Sequence, residues 1–542
     1  MKISIYRNTT YILISILILA AIFRFININQ PFVDSFSWRQ SSTAMMAENF
    51  YRRNWNIFYP EVSWDGPGPS YNGREFQTVT YITAILYTLL GQHDWVGRSI
   101  VVLFSLWGIF AFYQLVSRIW DRDRALMSTA ILAIFPGNIY LDRSFLPDPA
   151  MVALVVTSFW MLIAYLQTDR WYYLLLATLF AIWGFLTKLP GLIIGIPMLY
   201  TIFVVLGHRG LLRPKKLTLI GVAAISVLLP VIAYYLWARH LALTYPPYHF
   251  AGSGNWIWDS QLREWWQQKY FFPKLYDHIY NWLWTYPILI LVAIGLFVVP
   301  PHYQVPTQEF EERSSKVAVR VPGMFHWWIL AFGIYYFIGA QQLVANPSNL
   351  NIVNPAAAAL AGNGLMVIVS LAKRVGGSSS ALALIIAILL IISGIGYKQL
   401  KSWYYPWSQD GYELGIALQQ ITQPSDLVVT IANRGGGDPV AIYYSQRRGW
   451  VFPPESYQGS IRKNSFNWRE KIKEDTLILL LKDLITQGAD WMGIVKYGNN
   501  QIAKDNPQLL AYIQKTLELY QETPNWVIYR IPPKLKTTKN SK

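Results

Sequence analysis

The sequence contains no cysteine among its 542 residues. Disulfide bonds, thiolate metal ligands and a cysteine nucleophile are therefore excluded. Charged residues are also scarce: Asp, Glu, Lys and Arg make up only 14% of the chain, whereas a soluble domain has about 25%. Together with a hydrophobic fraction of 53%, this scarcity excludes a disordered chain and argues against an ordinary soluble enzyme.

Acidic residues are outnumbered, with 30 Asp and Glu against 46 Lys and Arg, so the net charge is +16. A basic chain can bind nucleic acid. In so apolar a chain, however, cytoplasmic basic loops, anionic lipid headgroups and phosphate-bearing substrates explain the excess better. We therefore expect membrane lipids as partners and no nucleic acid.

We interpret as spans eleven stretches that contain no Asp, Glu, Lys or Arg, most of which have about the length of a bilayer-spanning helix. The first extends past Arg24 to about residue 29, and we expect that arginine to reach the headgroups along its apolar stem. We interpret this first span as a retained anchor. The pattern predicts a polytopic α-helical membrane protein with about 11 transmembrane helices. The stretches are residues 10–23, 99–117, 125–141, 149–167, 171–187, 189–206, 217–237, 284–300, 326–344, 350–372 and 381–397.

Basic residues predict the orientation of these spans. They fall in alternate connections, which lie on one side with Lys2 and Arg7 if the N-terminus is cytoplasmic. Eleven spans then place the C-terminus on the exoplasmic side. The apolar stretch at residues 77–90 is only 14 residues long, so we interpret it as a juxtamembrane helix at the outer surface. The basic connections hold Arg118, Arg122, Arg124, Arg170, Arg209, Arg213, Lys215, Lys216, Arg313, Lys316, Arg320, Lys373 and Arg374.

Three regions are predicted to be exoplasmic. They are a first outer loop at residues 30–98, an aromatic outer loop at 238–283 and a tail at 399–542. We therefore expect a transmembrane catalytic domain at 1–398 and a small C-terminal α/β domain at 399–542. The tail alternates β-like and helix-like runs. Its glycine-rich segment at 434–438 lacks the ending of a phosphate-binding P-loop and is interpreted as a turn. The predicted strands are Leu427–Ile431, Trp491–Val495 and Trp526–Ile531, and the predicted helices are Gly411–Ile421, Thr476–Gln487 and Pro507–Leu519.

Charged residues at the outer ends of the predicted spans are candidates for a site. A charge at membrane depth is costly, so it usually serves a function or pairs with a neighbour. Each residue taken alone could instead cap a helix or contact a headgroup, and Arg143 could pair with Asp142 or Asp148. The predicted topology places all the candidates at one membrane surface. They are Asp34, Glu75, Arg98, Arg143, Asp148 and Lys188.

The order of these features resembles the GT-C superfamily of integral-membrane glycosyltransferases, close to the bacterial aminoarabinose transferase and protein O-mannosyltransferase group. An acid, Asp34, follows the first span, and a long outer loop leads to Arg98. Arg143 precedes a Pro-Asp-Pro sequence, and a Leu-Thr-Lys turn ends at Lys188. The resemblance covers about residues 1–400. It departs at Ser35, where many members have a second acid, and at residues 346–355, which hold no basic residue.

The resemblance implies an inverting transfer of a sugar from a polyprenyl-phosphate donor to a hydroxyl of a lipid, glycan or protein acceptor. Asp34 would be the catalytic base. Cationic groups would stabilise the phosphate leaving group, and aromatic side chains could stack on sugars. The phosphate-binding candidates are Arg98, Arg143 and Lys188. The acceptor-binding or supporting candidates are Glu75, Asp148, Arg39, Trp38, Tyr245 and Tyr248.

No metal site or cofactor is predicted, because the seven histidines show no paired ligand spacing. A hard divalent cation between Asp34 and Asp148 stays open. Three other functions also stay open. A transporter or flippase would be expected to carry charges or broken helices near the membrane midplane. An O-antigen polymerase or ligase would have a large loop late in the chain, and a non-catalytic glycan-binding member would keep the fold without the activity.

Overall fold

The computed structural model describes residues 2–208, 214–248, 271–298, 321, 323–338, 343, 347–432, 438–454, 472–496 and 505–536. Much of the predicted aromatic outer loop and most of the glycine-rich segment of the tail lie outside these ranges. The chain divides into two compact units. The helical unit comprises residues 1–28, 98–234 and 256–403, and the mixed unit comprises residues 29–97, 235–255 and 404–542. The domain boundary predicted near residue 398 stays a prediction.

Helices make up most of the described chain. The described residues also contain three short 3-10 helices, at Leu189–Ile194, Pro347–Val353 and Pro533–Leu535, and one π-helix at His278–Leu283. In chain order, the helices are α1 (Lys2–Phe25), α2 (Ser37–Arg52), α3 (Thr78–Leu90), α4 (Asp94–Ile119), α5 (Arg122–Ile134), α6 (Pro136–Leu141), α7 (Asp148–Thr168), α8 (Trp171–Thr187), α9 (Gly195–His208), α10 (Pro214–Thr244), α11 (Phe271–Asp277), α12 (Tyr286–Phe297), α13 (Met324–Ile338), α14 (Asn354–Trp403), α15 (Gln409–Ile421), α16 (Val440–Ser445), α17 (Glu474–Thr486) and α18 (Pro507–Thr516).

Each of the eleven charge-free stretches coincides at least in part with a helix. Among the described residues, five helices are long and apolar enough to cross a membrane, and a pair bent by 110° gives up to six. Four shorter apolar helices accompany them. The count of about eleven crossings therefore stays a prediction. The five long helices are Asp94–Ile119, Asp148–Thr168, Leu189–Gly207, Pro214–Thr244 and Pro347–Trp403, and the bent pair is Phe271–Leu283 with Tyr286–Phe297.

Three predicted spans differ from the structure in how the helices are divided. The stretch at 125–141 is broken between α5 and α6, because Phe135 has an extended ψ of 122° and precedes Pro136. A residue before proline is disfavoured in the helical region, and proline itself cannot donate to the preceding turn. The stretches at 350–372 and 381–397 both lie on α14, which has a break at Gly377, where φ is 76°.

Small residues bring α12 and α14 into close contact. A Cβ atom added at Gly295 would lie 1.9 Å from the backbone oxygen of Leu360, and one at Gly364 would lie 2.2 Å from that of Leu291. The four residues Ala356–Ala359 are fully buried. Small side chains allow the backbones of two membrane helices to approach each other, so this contact requires glycine on both helices.

We expect Gly295→Ala to destabilise the helical unit by roughly 1–3 kcal/mol, because the added methyl group overpacks the contact with α14. The midpoint of thermal unfolding in detergent should fall. Gly333→Ala on α13 is the matched control, since nothing lies within 4 Å of a Cβ at that position and alanine favours a helix more than glycine does. Equal midpoints for the two variants would contradict this packing argument.

The mixed unit contains a six-stranded sheet and a separate two-stranded sheet, in which the first strand pairs with the third. In the larger sheet the strand order is β2-β5-β4-β6-β8-β7. Strand β4 is parallel to both of its neighbours, and β8 is antiparallel to both of its own. The strands are β1 (Glu61–Val62), β2 (Asp65–Gly66), β3 (Ser70–Tyr71), β4 (Leu427–Ile431), β5 (Arg448–Val451), β6 (Trp491–Val495), β7 (Glu518–Glu522) and β8 (Trp526–Arg530).

Helices cover both faces of the central strands, which explains why β4 and β6 are almost entirely apolar. On one face, Val429 and Met492 pack with α17 and α18 in a buried core. On the other, Gly493 of β6 lies against Leu414 and Leu418 of α15. The strands and helices predicted in the tail therefore occur: two strands have the predicted ends, and the other predicted elements are shifted by a few residues at one or both ends.

One edge of this sheet comes from the first outer loop. Strand β2 pairs antiparallel with β5, with Asp65 opposite Trp450 and Gly66 opposite Gly449. Arg448 forms an ion pair with Glu61 close by. Gly449 is required here, because its φ is +155° and a Cβ would clash with the backbone of Val428. Segments far apart in the sequence thus form a single sheet.

Candidate active site

Two buried arginines of the helical unit bind the turn that follows α1. Arg143 Nη2 donates to the backbone oxygen of Asn27 at 2.8 Å, and Arg98 Nη1 donates to that of Ile28 at 3.3 Å. Both side chains are fully buried. The structure therefore brings two of the predicted phosphate-binding residues to neighbouring carbonyl groups of the same turn.

Arg24 corrects one expectation from the sequence. Its side chain does not extend toward headgroups: it is 0% exposed and forms an ion pair with Asp142 at 2.8 Å. Its guanidinium also donates to Ser105 Oγ at 3.0 Å, and Ser105 in turn donates to Asp142 at 2.7 Å. Burial of a charge is costly unless it is paired, so Arg24 is held in place by a partner that the sequence alone does not reveal.

Lys188 and Asp148 form a second buried ion pair, with Nζ 2.6 Å from Oδ1. Lys188 follows the last residue of α8 in an extended conformation and directly precedes the 3-10 helix, which matches the short connection predicted there. Asp148 is the first residue of α7, where the helix dipole stabilises a carboxylate. Its Oδ2 has no hydrogen-bond partner in the described part of the chain, so this oxygen can accept a bond from a hydroxyl group.

Asp34, the predicted base, lies in the mixed unit in the turn before α2. Its carboxylate is fully buried and accepts a hydrogen bond from Gln40 Nε2 at 2.5 Å. The Ser37 amide donates to the Asp34 backbone oxygen at 2.9 Å as the helix begins. Gln40 was not singled out from the sequence, although its position one turn into a helix after an acid could have suggested it. It fixes the orientation of the carboxylate.

Glu75 and Arg39 form a further ion pair, which lies in the mixed unit, as Asp34 does. Arg39 Nη2 donates to both carboxylate oxygens of Glu75, at 2.8 and 3.1 Å. The guanidinium groups of Arg39 and Arg74 each lie 5.9 Å from the Trp38 ring centroid, a distance at which cations interact with aromatic rings. The structure therefore brings together Arg39, Glu75 and Trp38, three of the supporting residues predicted from the sequence.

The two remaining aromatic candidates lie at the end of α10 in the same unit. The ring of Tyr245 packs edge-on against Tyr71, with centroids 5.1 Å apart. The backbone amide of Tyr71 donates to Pro246 at 2.9 Å. Tyr248 is 43% exposed, so its ring is available to a ligand, whereas Tyr245 is partly covered by its neighbour.

A further carboxylate in this unit was missed by the sequence analysis. Glu48 on α2 is almost fully buried, with Arg52 Nε 3.3 Å from its Oε1. Burial raises the pKa of Glu48 from 4.5 to about 7, and the opposing charges of Arg52 and Arg53 only partly offset this effect. Glu48 therefore titrates near neutral pH.

This shift predicts a pH dependence of stability. A group whose pKa is raised on folding favours the folded state most at pH values below the pKa that it has in the unfolded chain. That contribution is lost as the pH rises through the pKa that it has in the folded chain. Between pH 5 and 8 we expect Glu48 to reduce the free energy of unfolding by roughly 2–3 kcal/mol. Glu48→Gln should remove this part of the decline in thermal midpoints measured across that range. Glu518→Gln on the exposed strand β7 should not, and equal slopes for both variants would contradict the expectation.

No group of three or more His, Cys, Asp or Glu side chains that could hold a metal ion occurs among the described residues. The possible divalent cation between Asp34 and Asp148 stays a prediction. What the described geometry offers is cationic and hydrogen-bonding chemistry. The helical unit holds buried guanidinium groups and a Lys–Asp pair. The mixed unit holds the Asp34 carboxylate oriented by Gln40. Separately, it holds the Glu75 carboxylate bound by Arg39, whose guanidinium lies over the Trp38 ring.

Part of the chain matches the model of a known protein family. The model of the dolichyl-phosphate-mannose-protein mannosyltransferase family matches residues 78–234. This segment is less than half of the chain, and it includes Arg98, Arg143, Asp148 and Lys188. Among the curated proteins none matches this chain.

Solved structures match nearly the whole chain. ArnT from Cupriavidus metallidurans bound to undecaprenyl phosphate aligns with a TM-score of 0.58 over 96% of this chain and 98% of that one, at 13% identity. This similarity shows that the chain has the same fold as ArnT. AglB from Archaeoglobus fulgidus, in complex with an inhibitory peptide and a dolichol-phosphate, gives a TM-score of 0.50 over 97% and 77% of the two chains, at 12% identity. The mycobacterial arabinofuranosyltransferase AftD gives 0.51 over 96% and 40%, at 11% identity.

The GT-C resemblance inferred from the sequence motifs is therefore confirmed. The family model over residues 78–234 and the fold over nearly the whole chain are both similar to those of glycosyltransferases. The long apolar helices of the described residues also indicate an integral membrane protein.

Proposed function

We propose that this GT-C protein is an inverting glycosyltransferase, which moves a sugar from a polyprenyl-phosphate donor to a hydroxyl of a lipid, glycan or protein acceptor at the exoplasmic membrane face. The observation that carries this function is the placement of Arg98 and Arg143, buried together at the turn after α1. Two guanidinium groups at the end of a membrane helix suit a lipid-linked phosphate. The ArnT structure holds undecaprenyl phosphate.

The donor side of the reaction needs cations. The leaving phosphate is a stable anion and needs no strong general acid, but its charge grows as the glycosidic bond breaks. Arg98 and Arg143 can each grip phosphate oxygens with two bonds, and Lys188 adds a point charge. Asp148 balances Lys188 in the absence of donor, and its second carboxylate oxygen suits a sugar hydroxyl.

The acceptor side needs a base, because a neutral hydroxyl is a poor nucleophile. Asp34 is oriented by Gln40 and can accept the hydroxyl proton. Attack on the anomeric carbon in a single displacement inverts its configuration. Glu75, held by Arg39, and the rings of Trp38, Tyr245 and Tyr248 would contact the acceptor or the sugar.

The exoplasmic orientation rests on the distribution of positive charge. The predicted inner connections carry basic residues, such as Arg118 and Lys216 at helix ends. The N-terminus would then be cytoplasmic, and the tail at 399–542 exoplasmic. Single cysteine substitutions allow a direct test of this orientation, because the natural chain has no cysteine. An engineered Cys at exposed Tyr520 should react with an impermeant maleimide in intact cells, and one at Lys215 should react only after permeabilisation.

The enzymatic test is a transfer assay with the full chain in lipid nanodiscs, a panel of polyprenyl-phosphate sugars and envelope extract as the acceptor source. We expect transfer from at least one donor, with inversion seen by NMR of the product. Donor binding without transfer would point to a non-catalytic glycan-binding protein. If the folded protein neither binds nor transfers any of these sugars, the proposed function is overturned in favour of a transporter.

A Lys188 variant tests the donor site itself. We expect Lys188→Gln to weaken binding of polyprenyl phosphate about 10–100-fold, since one charge-assisted contact contributes roughly 1.5–3 kcal/mol. Lys216→Gln is the matched control, because Lys216 also pairs with an aspartate, Asp169, within the helical unit but lies in a predicted inner connection. Equal loss in both variants would show that Lys188 acts only in folding.

A further inference from the structure

The mixed unit contains a cleft that none of the roles above uses. It has a volume of about 330 Å³ and lies between the connection from α3 to α4, the turn at residues 29–31 and the helices α15 and α16. All of its described lining residues belong to this one unit. Ligand pockets have volumes of about 300–1,000 Å³, so the cleft is large enough for a small ligand.

One wall of the cleft is held rigidly by a shared carboxylate. Tyr443 and Tyr444 of α16 donate to the two oxygens of Asp94, at 3.0 and 2.6 Å. The Phe32 amide donates to the hydroxyl of Tyr444 at 2.6 Å. Burial raises the pKa of Tyr443 well above its usual value, so its hydroxyl stays protonated and continues to donate. A wall ordered in this way needs little rearrangement to bind a ligand.

The lining residues favour a neutral ligand rich in hydroxyl groups. Four carry carboxamides, four carry tyrosine or tryptophan rings, one carries a carboxylate, and none of the described lining residues is Lys or Arg. Carboxamides both donate and accept hydrogen bonds, as sugar hydroxyls do. Aromatic faces suit the apolar faces of sugar rings. A phosphate would find no Lys or Arg among these residues and would face the carboxylate of Asp94, and an apolar ligand would leave the carboxamides unpaired.

We propose that this cleft binds one or two neutral sugar residues of the acceptor glycan. Trp95 supplies a ring face, Gln419 supplies a carboxamide, and Asp94 accepts from sugar hydroxyls. The binding itself is independent of catalysis, but its link to the acceptor rests on the proposed glycosyl transfer. The cleft would hold the acceptor glycan through sugar units that do not themselves react.

The binding test uses the full chain in nanodiscs without donor. Saturation-transfer NMR and calorimetry would measure binding of neutral disaccharides (mannobiose, cellobiose and lactose), with glucose 1-phosphate as the charged comparison. We expect at least one neutral disaccharide to bind, and glucose 1-phosphate to bind no more tightly. Gln419→Ala and Trp95→Ala should each weaken binding by tenfold or more.

Two control variants separate loss of the cleft from loss of folding. Gln420→Ala changes the exposed neighbour of Gln419 on α15, outside the cleft, and Trp407→Ala removes a tryptophan that is 63% exposed. Both should bind disaccharide as the natural chain does. No binding by the natural chain, or equal binding by the Gln419→Ala, Trp95→Ala and control variants, would overturn the sugar site.

A transfer assay separates the acceptor glycan from the donor sugar as the source of the ligand. If the cleft holds the acceptor, Gln419→Ala should raise the KM for acceptor about tenfold and leave the KM for donor unchanged. A raised KM for donor alone would overturn the assignment to the acceptor. Disaccharide binding that persists while no donor is ever used would support the cleft and count against the proposed transferase, so the two inferences can fail separately.

Discussion

Asp34→Asn is expected to lower the rate of sugar transfer by about 10²–10⁴-fold, the usual contribution of a positioned general base. The substitution removes the proton acceptor but keeps the shape of the side chain. Gln40 can rotate its amide to present its oxygen, so the hydrogen bond to position 34 survives. The buried turn before α2 should therefore stay folded.

The kinetic pattern identifies the role. A missing base lowers kcat, whereas a missing binding contact raises KM. We expect Asp34→Asn to reduce kcat with little change in the KM for donor and in the affinity for polyprenyl phosphate. The measurement is steady-state transfer in nanodiscs, together with donor binding by calorimetry.

Asp410→Asn is the matched control, since Asp410 lies in the first turn of α15 in the same unit and has no proposed role. It should transfer sugar at the natural rate. If Asp34→Asn keeps more than a tenth of the natural kcat, Asp34 is not the base, and Glu75→Gln becomes the next variant to measure.

The helices and the main strands of this protein could be predicted because they depend on local patterns. A long run without charge must leave water as a helix, which is why the stretch at 149–167 matches α7. The strand Leu427–Ile431 was predicted with the observed ends, because a short apolar run bounded by polar residues suits a buried strand. Such features need no knowledge of which segments meet.

The contact between Asp34 and Gln40 is local, but most other contacts that hold the candidate site residues join positions far apart in the sequence. Burying a charge is costly, so Arg24 is expected to need a partner. That cost alone does not identify the partner as Asp142, which is 118 residues away in the sequence. Strand β2 has two residues, too few to show any periodicity. The presence of candidate residues was therefore predictable, and their pairing was not.

The second large effect is expected at the Arg24–Asp142 pair. Both partners are buried in the helical unit, where the side chains are 0% and 5% exposed. Arg24→Leu would leave the carboxylate of Asp142 with Ser105 as its remaining described donor. Breaking a buried pair in this way typically costs about 3–5 kcal/mol, so we expect a large loss of thermal stability in detergent and a low yield of folded protein.

The double variant shows whether the loss comes from the unpaired charge. Replacing both partners, Arg24→Leu with Asp142→Leu, removes the charge that the single variant leaves behind, and such replacements are often close to neutral. We expect the double variant to recover most of the stability that Arg24→Leu loses. Two equally unstable variants would instead mean that Arg24 stabilises the fold mainly through its bonds to the Ala20 and Ala133 carbonyls.

The partly exposed pair of Lys216 and Asp169 provides the reference for a weak interaction. Its side chains are 23% and 38% exposed, and exposed ion pairs contribute about 0–1 kcal/mol. Lys216→Leu should therefore change the thermal midpoint little. Because Asp142 directly precedes Arg143, Arg24→Leu should also weaken polyprenyl-phosphate binding by the protein that still folds, and Lys216→Leu should not. Reduced stability with natural affinity for the lipid would show that the Arg24 pair supports the fold without positioning Arg143.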